Sequence, residues 1–540
     1  MLTRRHHPLT WTVVLLHVVA ALAFSVLLPM FRSPDEATHV DLIRQYRRGL
    51  GHEDPNRTVP LGLDVERASD SVSPVDVRPR PPQLAGSAVP RRERPAFGDL
   101  AAPGEPSDTE NHMTQHPPLY YAAVAGASTF VGGLTPKGWW SWDREMYLYR
   151  LWSILLTAPL PLLAAEGALA VGASRRASAV AAASLLLVPQ ATAIGAAVNN
   201  DALVMVGSAG AAAAALWHLR TGHVRSGVVA AGAATVAALS KATAAPLLAW
   251  VAVVVVLRWW SDRRAGRPAG APAPGSRLVA PLATTAVGLS WYVANFVRFR
   301  DPQPTGLTPL PVNEDFQASP FRFLHVWLDR LSRTFWGMPA RRTGVALPWI
   351  APHALSVVAV GLAVAAWWDR ARRRTTALLW LLCATQVALL LRSNWGSHSR
   401  TGALPAVQGR YLFALLVPVA VLALLGARQV AGRIGARWSV ADPLVAAWAV
   451  IAVGMVLHVL LGRSMLEGFW EAPGASTTER LTSVVAWSPL PAAGTWVLLA
   501  GFVGAAALAC VVFGLQLVRT VGPWRAARPG RARPPAETGA

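Results

Sequence analysis

Charged side chains are scarce in this chain, and cysteine is almost absent. Charged residues make up 15% of the 540 residues, whereas soluble domains contain about a quarter. The two cysteines, Cys383 and Cys510, lie far apart inside apolar runs, so we expect neither a disulfide framework nor a cysteine metal site. The low charge excludes an ordinary soluble domain and favours a membrane protein.

Several motifs of soluble enzymes are also missing. The sequence contains no Walker-type glycine-rich loop, no HExxH and no CxxC, so it offers no recognisable site for nucleotide hydrolysis or for these metal and redox chemistries. The net charge of +21 comes almost entirely from arginine, since Lys137 and Lys241 are the two lysines. We attribute the excess of arginine to codon bias, and we expect no nucleic-acid partner.

Long apolar runs are abundant. Hydrophobic residues make up 53% of the chain, the mean hydropathy is +0.35, and many runs reach the ~17–25 residues that span a bilayer. We therefore predict an all-α, polytopic transmembrane bundle with about 12 spans. The spans are expected near residues 9–30, 150–172, 177–196, 202–219, 227–241, 244–258, 279–297, 346–367, 375–392, 410–427, 440–461 and 491–518.

Arginine clusters orient this bundle. Under the positive-inside rule, the clusters at residues 4–5, 175–176, 258–277, 370–374 and 428–437 lie on the cytoplasmic side. Both termini then lie in the cytoplasm, and the first span ends on the outer face. We predict a multi-pass protein of the plasma membrane, in contact with membrane lipids.

This path divides the chain into six regions. They are a first transmembrane helix (residues 1–30), an extracytoplasmic loop (31–149), a transmembrane core (150–297), an extracytoplasmic amphipathic segment (298–345), C-terminal transmembrane helices (346–518) and a disordered basic cytoplasmic tail (519–540).

The two outer regions differ in pattern. Residues 51–110 show little periodicity and predict a loop. Residues 117–134 predict a re-entrant or interfacial helix, for which Tyr120 and Tyr121 are suitable interface residues. Between residues 316 and 336, the spacing of aromatic residues and leucines predicts an amphipathic helix that lies on the membrane.

The segment Ser-Pro-Asp-Glu-Ala-Thr-His, residues 33–39, directly follows the first apolar run. Carboxylates at a membrane face are costly to desolvate, which favours a function for Asp35 and Glu36. Alternatively, one of them caps the helix that follows and faces its dipole. The segment alone leaves both interpretations open.

Other polar residues gather on the same predicted outer face, and each has a structural alternative. Asn200 and Asp201 would suit a turn with a helix cap, Lys241 could extend to the lipid interface, and Arg410 could anchor a helix at the headgroups. Taken together, they place cations that bind phosphate near a carboxylate that can serve as a general base. Such a site matches a substrate with an apolar tail and an anionic head, whose own phosphoester would supply the energy.

Five short motifs occur along the chain. They are Ser-Pro-Asp-Glu followed by His39, His-Pro-Pro-Leu-Tyr-Tyr at residues 116–121, Asn-Asp-Ala-Leu at 200–203, Ser-Lys-Ala-Thr at 240–243 and Gln-Gly-Arg-Tyr at 408–411. In this order they resemble a bacterial membrane family of unknown function that is placed in the GT-C class of integral membrane glycosyltransferases. The resemblance covers about residues 8–430.

The resemblance implies a bacterial plasma membrane as the location and an inverting sugar transfer on its extracytoplasmic face. The donor would be a polyprenyl-phosphate-linked sugar, and the acceptor a glycan or lipid-linked molecule of the cell envelope. Asp35 or Glu36 would deprotonate the acceptor hydroxyl. Arg410, with Lys241 or Arg400, would hold the phosphate that leaves.

The resemblance also implies a substrate pocket and raises the question of a metal. The pocket would be shaped by His39, His116, Asn200, Asp201, Gln408 and Tyr411. Some relatives need a divalent metal, Mg²⁺ or Mn²⁺. Asp35, Glu36 and Asp201 could bind one here, although nothing in the sequence requires a cofactor.

Two other functions fit the same polar residues. A transporter or flippase of lipid-linked glycans would also gather polar side chains in a membrane cavity, but such proteins tend to show inverted repeats, and the sequence has no clear internal repeat. A non-catalytic scaffold for envelope synthesis is the third interpretation.

Overall fold

The computed structural model of the chain describes residues 5–72, 83–264, 276–339, 344–404, 407–434, 442–470 and 474–526. In this part of the chain, two strands are β1 (Val59–Gly62) and β2 (Pro106–Asn111). The α-helices are α1 (Pro8–Leu27), α2 (Glu36–Arg47), α3 (Leu63–Val72), α4 (Phe97–Leu100), α5 (Leu119–Gly133), α6 (Trp142–Thr157), α7 (Leu160–Ala170), α8 (Arg175–Ser184), α9 (Pro189–Gly195), α10 (Asp201–Thr221), α11 (Val224–Ala238), α12 (Ala245–Arg264), α13 (Ser276–Phe299), α14 (Pro320–Trp336), α15 (Ile350–Ala365), α16 (Arg373–Thr401), α17 (Leu416–Ile434), α18 (Pro443–Phe469), α19 (Thr477–Trp487) and α20 (Ala492–Ala526).

Helical structure is present at each of the twelve positions that were predicted to span the membrane. Within the described residues, nine helical segments are long and apolar enough to cross a bilayer, and a bent pair, Arg175–Leu187 with Pro189–Gly195, makes a tenth if it is one span. The other two are α11, with 15 residues, and α13, with 24. The predicted polytopic α-helical bundle is therefore confirmed, and nine or ten of the twelve predicted spans are long and apolar enough to cross a bilayer.

Small residues allow the helices of the core to approach closely, as is usual between membrane helices. Gly207 of α10 lies against the backbone of Ala233 in α11. Gly426 of α17 lies so close to the backbone of Leu362 in α15 that an added Cβ would overlap it. This packing holds α10 and α17 in the bundle, and residues of the candidate site lie at the beginning of α10 and just before α17.

The outer segment predicted as a loop, residues 51–110, contains regular structure where it is described. Strands β1 and β2 pair in antiparallel fashion, with Val59 opposite Asn111. The buried Arg94 donates to Asp143 at 2.5 Å and to the main-chain oxygen of Ala486 at 2.8 Å. The prediction of an irregular loop is wrong because long-range strand pairing and buried ion pairs order the segment, and local periodicity does not report them. Residues 73–82 lie outside the described residues.

The helix predicted at residues 117–134 is present as α5, but its two tyrosines are not interface residues. Both are fully buried. The Tyr120 hydroxyl lies 3.0 Å from the hydroxyl of Ser153, and the Tyr121 hydroxyl lies 3.0 Å from Nδ1 of His39. The two hydroxyl groups therefore find partners inside the protein, while the re-entrant position of α5 stays a prediction.

The predicted amphipathic helix is present as α14. Its Phe323, Trp327 and Trp336 are buried, whereas Phe321 is 85% exposed. The opposite faces of α14 thus differ in exposure as the sequence pattern indicates, and its position on a membrane surface stays a prediction. The predicted tail from residue 519 is helical as far as Ala526, and its remainder lies outside the described residues.

Replacing Gly426 by alanine is expected to lower the stability of the bundle by about 1–3 kcal/mol, because the new methyl group would force α17 away from α15. Gly432→Ala in the same helix is the matched control, since its Cβ would meet no atom within 4 Å. Unfolding of both variants in detergent micelles provides the measurement. Equal losses of stability would contradict the close contact at Gly426.

Candidate functional site

Asp35 lies in an unusual backbone conformation directly before α2. Its φ of 61° is in the left-handed region, which non-glycine residues rarely adopt. It occupies the N-cap position of α2, but its side chain makes no capping hydrogen bond. Instead, its Oδ2 accepts a hydrogen bond from Nη2 of Arg410 at 2.7 Å. The alternative that Asp35 serves as a helix cap is therefore not supported by its geometry.

Four charged residues form one alternating network around this contact. Lys241 donates from Nζ to Oδ1 of Asp201 at 2.7 Å, and Oδ2 of Asp201 lies 3.8 Å from Nε of Arg410. The Arg410 to Asp35 ion pair completes the series. Three of these side chains are at most 5% exposed, while the side chain of Asp35 keeps 34% of its surface accessible. Asp35 is thus the most exposed member of the network.

The network is assembled from segments at the ends of helices. The side-chain oxygen of Asn199 accepts from the N–H of Asp201 at 2.9 Å, which begins α10. The side-chain amide of Asn200 donates to the main-chain oxygen of Ser240 at 3.0 Å, beside Lys241. The Asn-Asn-Asp segment, residues 199–201, therefore forms a turn before α10, in agreement with the structural alternative. The same turn brings Asp201 to Lys241.

The Gln-Gly-Arg-Tyr motif enters the site through a close contact with α14. A Cβ on Gly409 would overlap the backbone of Phe335, so glycine is needed at this point. The N–H of Gly409 donates to the hydroxyl of Thr334 at 2.7 Å. The ring centroid of Tyr411, the last residue of the motif, lies 5.3 Å from Nζ of Lys241 and 5.7 Å from the Arg410 guanidinium carbon. These contacts fix the direction of Arg410.

Glu36 has a different environment from its neighbour. It receives two hydrogen bonds from the Arg150 guanidinium, at 2.8 and 2.7 Å, and both side chains are completely buried. Its Oε1 also accepts from the N–H of Val198 at 2.9 Å. The structure therefore distinguishes two carboxylates that the sequence left equivalent. Glu36 joins α6 to the segment before α10, whereas the side chain of Asp35 is partly accessible.

Arg150 was missed by reasoning from the sequence. Besides Glu36, it donates to the main-chain oxygens of Ser25, Leu28 and Pro29 at 2.6, 2.7 and 3.0 Å. A charged residue at the start of a predicted span is a signal that could have indicated it, since such residues are rarely placed there without a partner.

Two predicted pocket histidines lie close to the network. Burial holds the pKa of His39 and that of His116 well below the ordinary histidine value, and the positive charge of Lys241 acts in the same direction. Both imidazoles are therefore neutral at pH 7. Nδ1 of His116 is buried and has no hydrogen-bond partner among the described residues, so it can bind a polar group of a ligand.

The structure does not bring Arg400 into the network. It lies near the end of α16, is exposed, and donates from Nε to the main-chain oxygen of Gly396 at 2.9 Å. The prediction that Arg400 contributes to phosphate binding has no support from this placement, because the last turn of α16 carries it to the surface. Gln408, by contrast, lines a cavity beside Arg410.

That cavity lies next to the Asp35 segment. It has a volume of about 50 Å³ and is lined by Pro34, Gln190, Thr334, Met338, Pro339, Gln408 and Arg410. Gln190, Thr334 and Met338 were not singled out by the sequence. Because Pro34 and Arg410 are both in its wall, the cavity reaches the ion pair from the side of α9 and α14.

The carboxylates do not form a shared set of metal ligands. Glu36 is paired with Arg150, Asp201 with Lys241, and Asp35 with Arg410. Across the described ranges, no group of three or more His, Cys, Asp or Glu side chains has an arrangement that could hold a metal ion. Asp35, Glu36 and Asp201, which could have bound a metal together, therefore each face a cation instead.

Comparison with known protein families shows to which family the chain belongs. Residues 18–419 match the model of the family described as "Predicted membrane protein (DUF2142)". The chain belongs to this family. The five motifs recognised in the sequence all lie within the matched region, so the predicted family resemblance is confirmed. No curated protein sequence matches the chain.

Several solved structures are similar to this chain at low identity. The apo oligosaccharyltransferase of Archaeoglobus fulgidus has 12% identity and a TM-score of 0.43, over 86% of this chain and 57% of that one. Apo ArnT from Cupriavidus metallidurans has 16% identity and a TM-score of 0.43, over 98% and 82% of the two chains. ArnT bound to undecaprenyl phosphate has 15% identity and a TM-score of 0.40, over 97% and 82%.

This chain therefore spans little more than half of the archaeal enzyme. TM-scores of this size do not establish a function.

Replacing Glu36 by glutamine is expected to destabilise the protein by about 3–5 kcal/mol, because Arg150 would keep a buried charge without its anion. Asp35→Asn is the matched control. It removes the same charge from the next residue, but Arg410 keeps Asp201 as an ionic partner, so the loss should be smaller. Denaturant unfolding in detergent micelles measures both, and equal losses would show that Glu36 is not the structural member of the pair.

Proposed function

We propose that the protein is a membrane glycosyltransferase of the GT-C type. It would move a sugar from a polyprenyl-phosphate-linked donor to an acceptor of the cell envelope. The observation that carries this proposal is the Asp35 to Arg410 ion pair at the wall of the cavity, with Asp201 and Lys241 behind it. A carboxylate and a buried guanidinium thus meet at a place that a substrate can reach.

Arg410 suits the phosphate of the donor. Its Nε and Nη1 are buried and have no hydrogen-bond partner among the described residues. Unsatisfied buried donors of a charged group are costly, and a phosphate can accept two hydrogen bonds from one guanidinium. A donor phosphate in the cavity would satisfy these nitrogens and neutralise the charge of Arg410.

Asp35 suits the role of general base. Burial by itself would raise the pKa of the Asp35 carboxyl, but the charge and hydrogen bond of Arg410 outweigh burial and hold that pKa below its ordinary value. The carboxylate is therefore ionised at neutral pH. When the donor phosphate draws Arg410 towards itself, this depression of the pKa weakens, and Asp35 becomes a better acceptor for a proton.

The reaction can be written from these groups. Asp35 takes the proton of the acceptor hydroxyl as its oxygen attacks the anomeric carbon of the sugar. The bond between that carbon and the phosphate oxygen breaks, and the polyprenyl phosphate leaves with the electron pair. Arg410 stabilises the charge that develops on the leaving phosphate. Attack and departure on opposite sides of the carbon give inversion.

Asp201 and Lys241 support Arg410. Asp201 lies between the two cations, which keeps two like charges close together without strong repulsion. Because Lys241 is nearly buried and bound to Asp201, we assign it to the positive field around the leaving group. His39, His116 and Asn200 would border the sugar or acceptor.

The location of the reaction follows from the proposed orientation. The apolar helices and the family make the chain an integral membrane protein. With the arginine clusters on the cytoplasmic side, the network lies at the extracytoplasmic ends of the helices, where a lipid-linked donor and an envelope acceptor can meet in the plasma membrane.

One feature favours transport of lipid-linked glycans as the second candidate. The segments Arg175–Leu187 and Pro189–Gly195 are bent by 71°, and interrupted helices are common around the substrate sites of transporters. The same break can equally line the pocket of an enzyme.

Replacing Asp35 by asparagine is expected to reduce sugar transfer by about 10²–10⁴-fold, because the variant lacks the group that accepts the proton. Binding of undecaprenyl phosphate should persist, since Arg410 is unchanged. Transfer from a polyprenyl-phosphate-linked sugar, measured with purified protein in nanodiscs, provides the test.

Asp315→Asn, at an exposed residue outside the network, is the control and should transfer at the wild-type rate. Full activity of the Asp35 variant would refute the assignment of the base. If the wild type transfers no sugar but moves lipid-linked glycans across vesicles, the protein is a transporter.

A further inference from the structure

Gln190 is a polar residue of the cavity that none of the five motifs contains. It is the second residue of α9, directly after Val188 and Pro189, where the chain bends by 71°. Irregular backbone at membrane depth is tolerated where it is buried in protein or lines a polar cavity. The break in the helix thus places the side chain of Gln190 in the wall that also contains Arg410.

The hydrogen bond that Gln190 makes determines which end of its amide is available. Its side chain is buried, with 3% exposure, and its Oε1 accepts from the N–H of Met338 at 2.9 Å. The oxygen is therefore occupied by the backbone, and the opposite end of the amide is an NH₂ group with two donors. A donor in this wall is suited to an anion.

Of the other polar side chains in the wall, Thr334 is used by the fold and Arg410 has free donors. Thr334 is engaged in the fold, since its hydroxyl donates to the main-chain oxygen of Arg330 at 2.5 Å and accepts from Gly409. Arg410 has two buried nitrogens without hydrogen-bond partners in the described part of the chain. Gln190 and Arg410 thus supply a neutral and a cationic hydrogen-bond donor to the wall of the same cavity.

The charge of the network limits the anion that fits. Lys241 and Arg410 are balanced by Asp201 and Asp35, and the neighbouring imidazoles of His39 and His116 are neutral. A sugar linked through one phosphate brings a single negative charge. A sugar linked through a diphosphate brings two, and its leaving group would carry still more charge. Among the described residues the network offers no cation beyond those already balanced, and uncompensated charge is costly away from water.

We propose that Gln190 is a ligand of the donor phosphate beside Arg410, and that this site takes a lipid with one phosphate in preference to a lipid diphosphate. This inference rests on the proposed function, because it concerns the donor of the same reaction. It adds a binding residue outside the motifs and narrows the class of substrate.

Gln190→Glu is the most informative variant. A glutamate keeps the shape of the side chain and an oxygen for the N–H of Met338, but it replaces the donor with an anionic oxygen. Gln190→Leu removes both ends of the amide and serves as the second variant. Gln317→Glu makes the same chemical change at an exposed residue and is the matched control. Thermal unfolding of each variant checks that it is folded.

The test measures binding in nanodiscs, in the presence of a chelator, by native mass spectrometry. The probes are undecaprenyl phosphate, undecaprenyl diphosphate, inorganic phosphate and phosphatidylglycerol. We expect undecaprenyl phosphate to bind more tightly than the other three. We also expect its affinity to fall about tenfold in Gln190→Leu, because one hydrogen bond to a charged group is lost, and further in Gln190→Glu, while Gln317→Glu binds like the wild type.

Three results would overturn the inference. The first is that the folded Gln190 variants bind undecaprenyl phosphate with an affinity within twofold of that of the wild type. The second is that the wild type binds undecaprenyl diphosphate as tightly as undecaprenyl phosphate, or more tightly. The third is that it binds phosphatidylglycerol or inorganic phosphate as tightly as undecaprenyl phosphate. The proposed function fails in a different way. If undecaprenyl phosphate binds through Gln190 but no sugar is transferred, the phosphate site stands and the protein is not the proposed transferase.

Discussion

The ion pair between Arg150 and Glu36 is the interaction on which the candidate site depends. The guanidinium joins Glu36 to the last main-chain oxygens of the first span, and Glu36 also accepts from Val198 just before the Asn-Asn-Asp segment. Removing two charges from water is compensated only when their remaining hydrogen bonds are satisfied, and here these contacts satisfy them. The end of α1, the beginning of α2 and the beginning of α10 are therefore held in one arrangement.

The same arrangement gives two adjacent carboxylates opposite tasks. The left-handed backbone at Asp35 turns the chain between α1 and α2, so that Glu36 points into the bundle and Asp35 points to Arg410. Such a conformation costs free energy and persists only where the surroundings determine it strongly, as the buried neighbour does here. A carboxylate that is ionised and partly accessible, beside an arginine with unused donors, is a suitable place for a proton and a phosphate to be handled together.

Particular residues show how far the site could be predicted. Asp35, Asp201, Lys241 and Arg410 were expected on one face because each follows or precedes an apolar run, and the structure joins them. Arg400 also follows an apolar run, but it lies on the exposed end of α16. Gln190 lies inside an apolar run, and no hydropathy pattern reveals the bend that places it in the cavity. The ordered strands within residues 51–110 were missed because pairing between distant segments leaves little local signal.

The sequence by itself determined the class of fold and the positions of most helices. The length of an apolar segment and the arginines beside it are local properties, and they govern how a segment inserts into the bilayer. It also determined the family, through five short motifs. Only the tertiary structure decided which polar groups pair. Asp35 and Arg410 are 375 residues apart in the chain, and Glu36 and Arg150 are 114 apart. Contacts over such separations are set by helix packing, which no pattern of neighbouring residues contains.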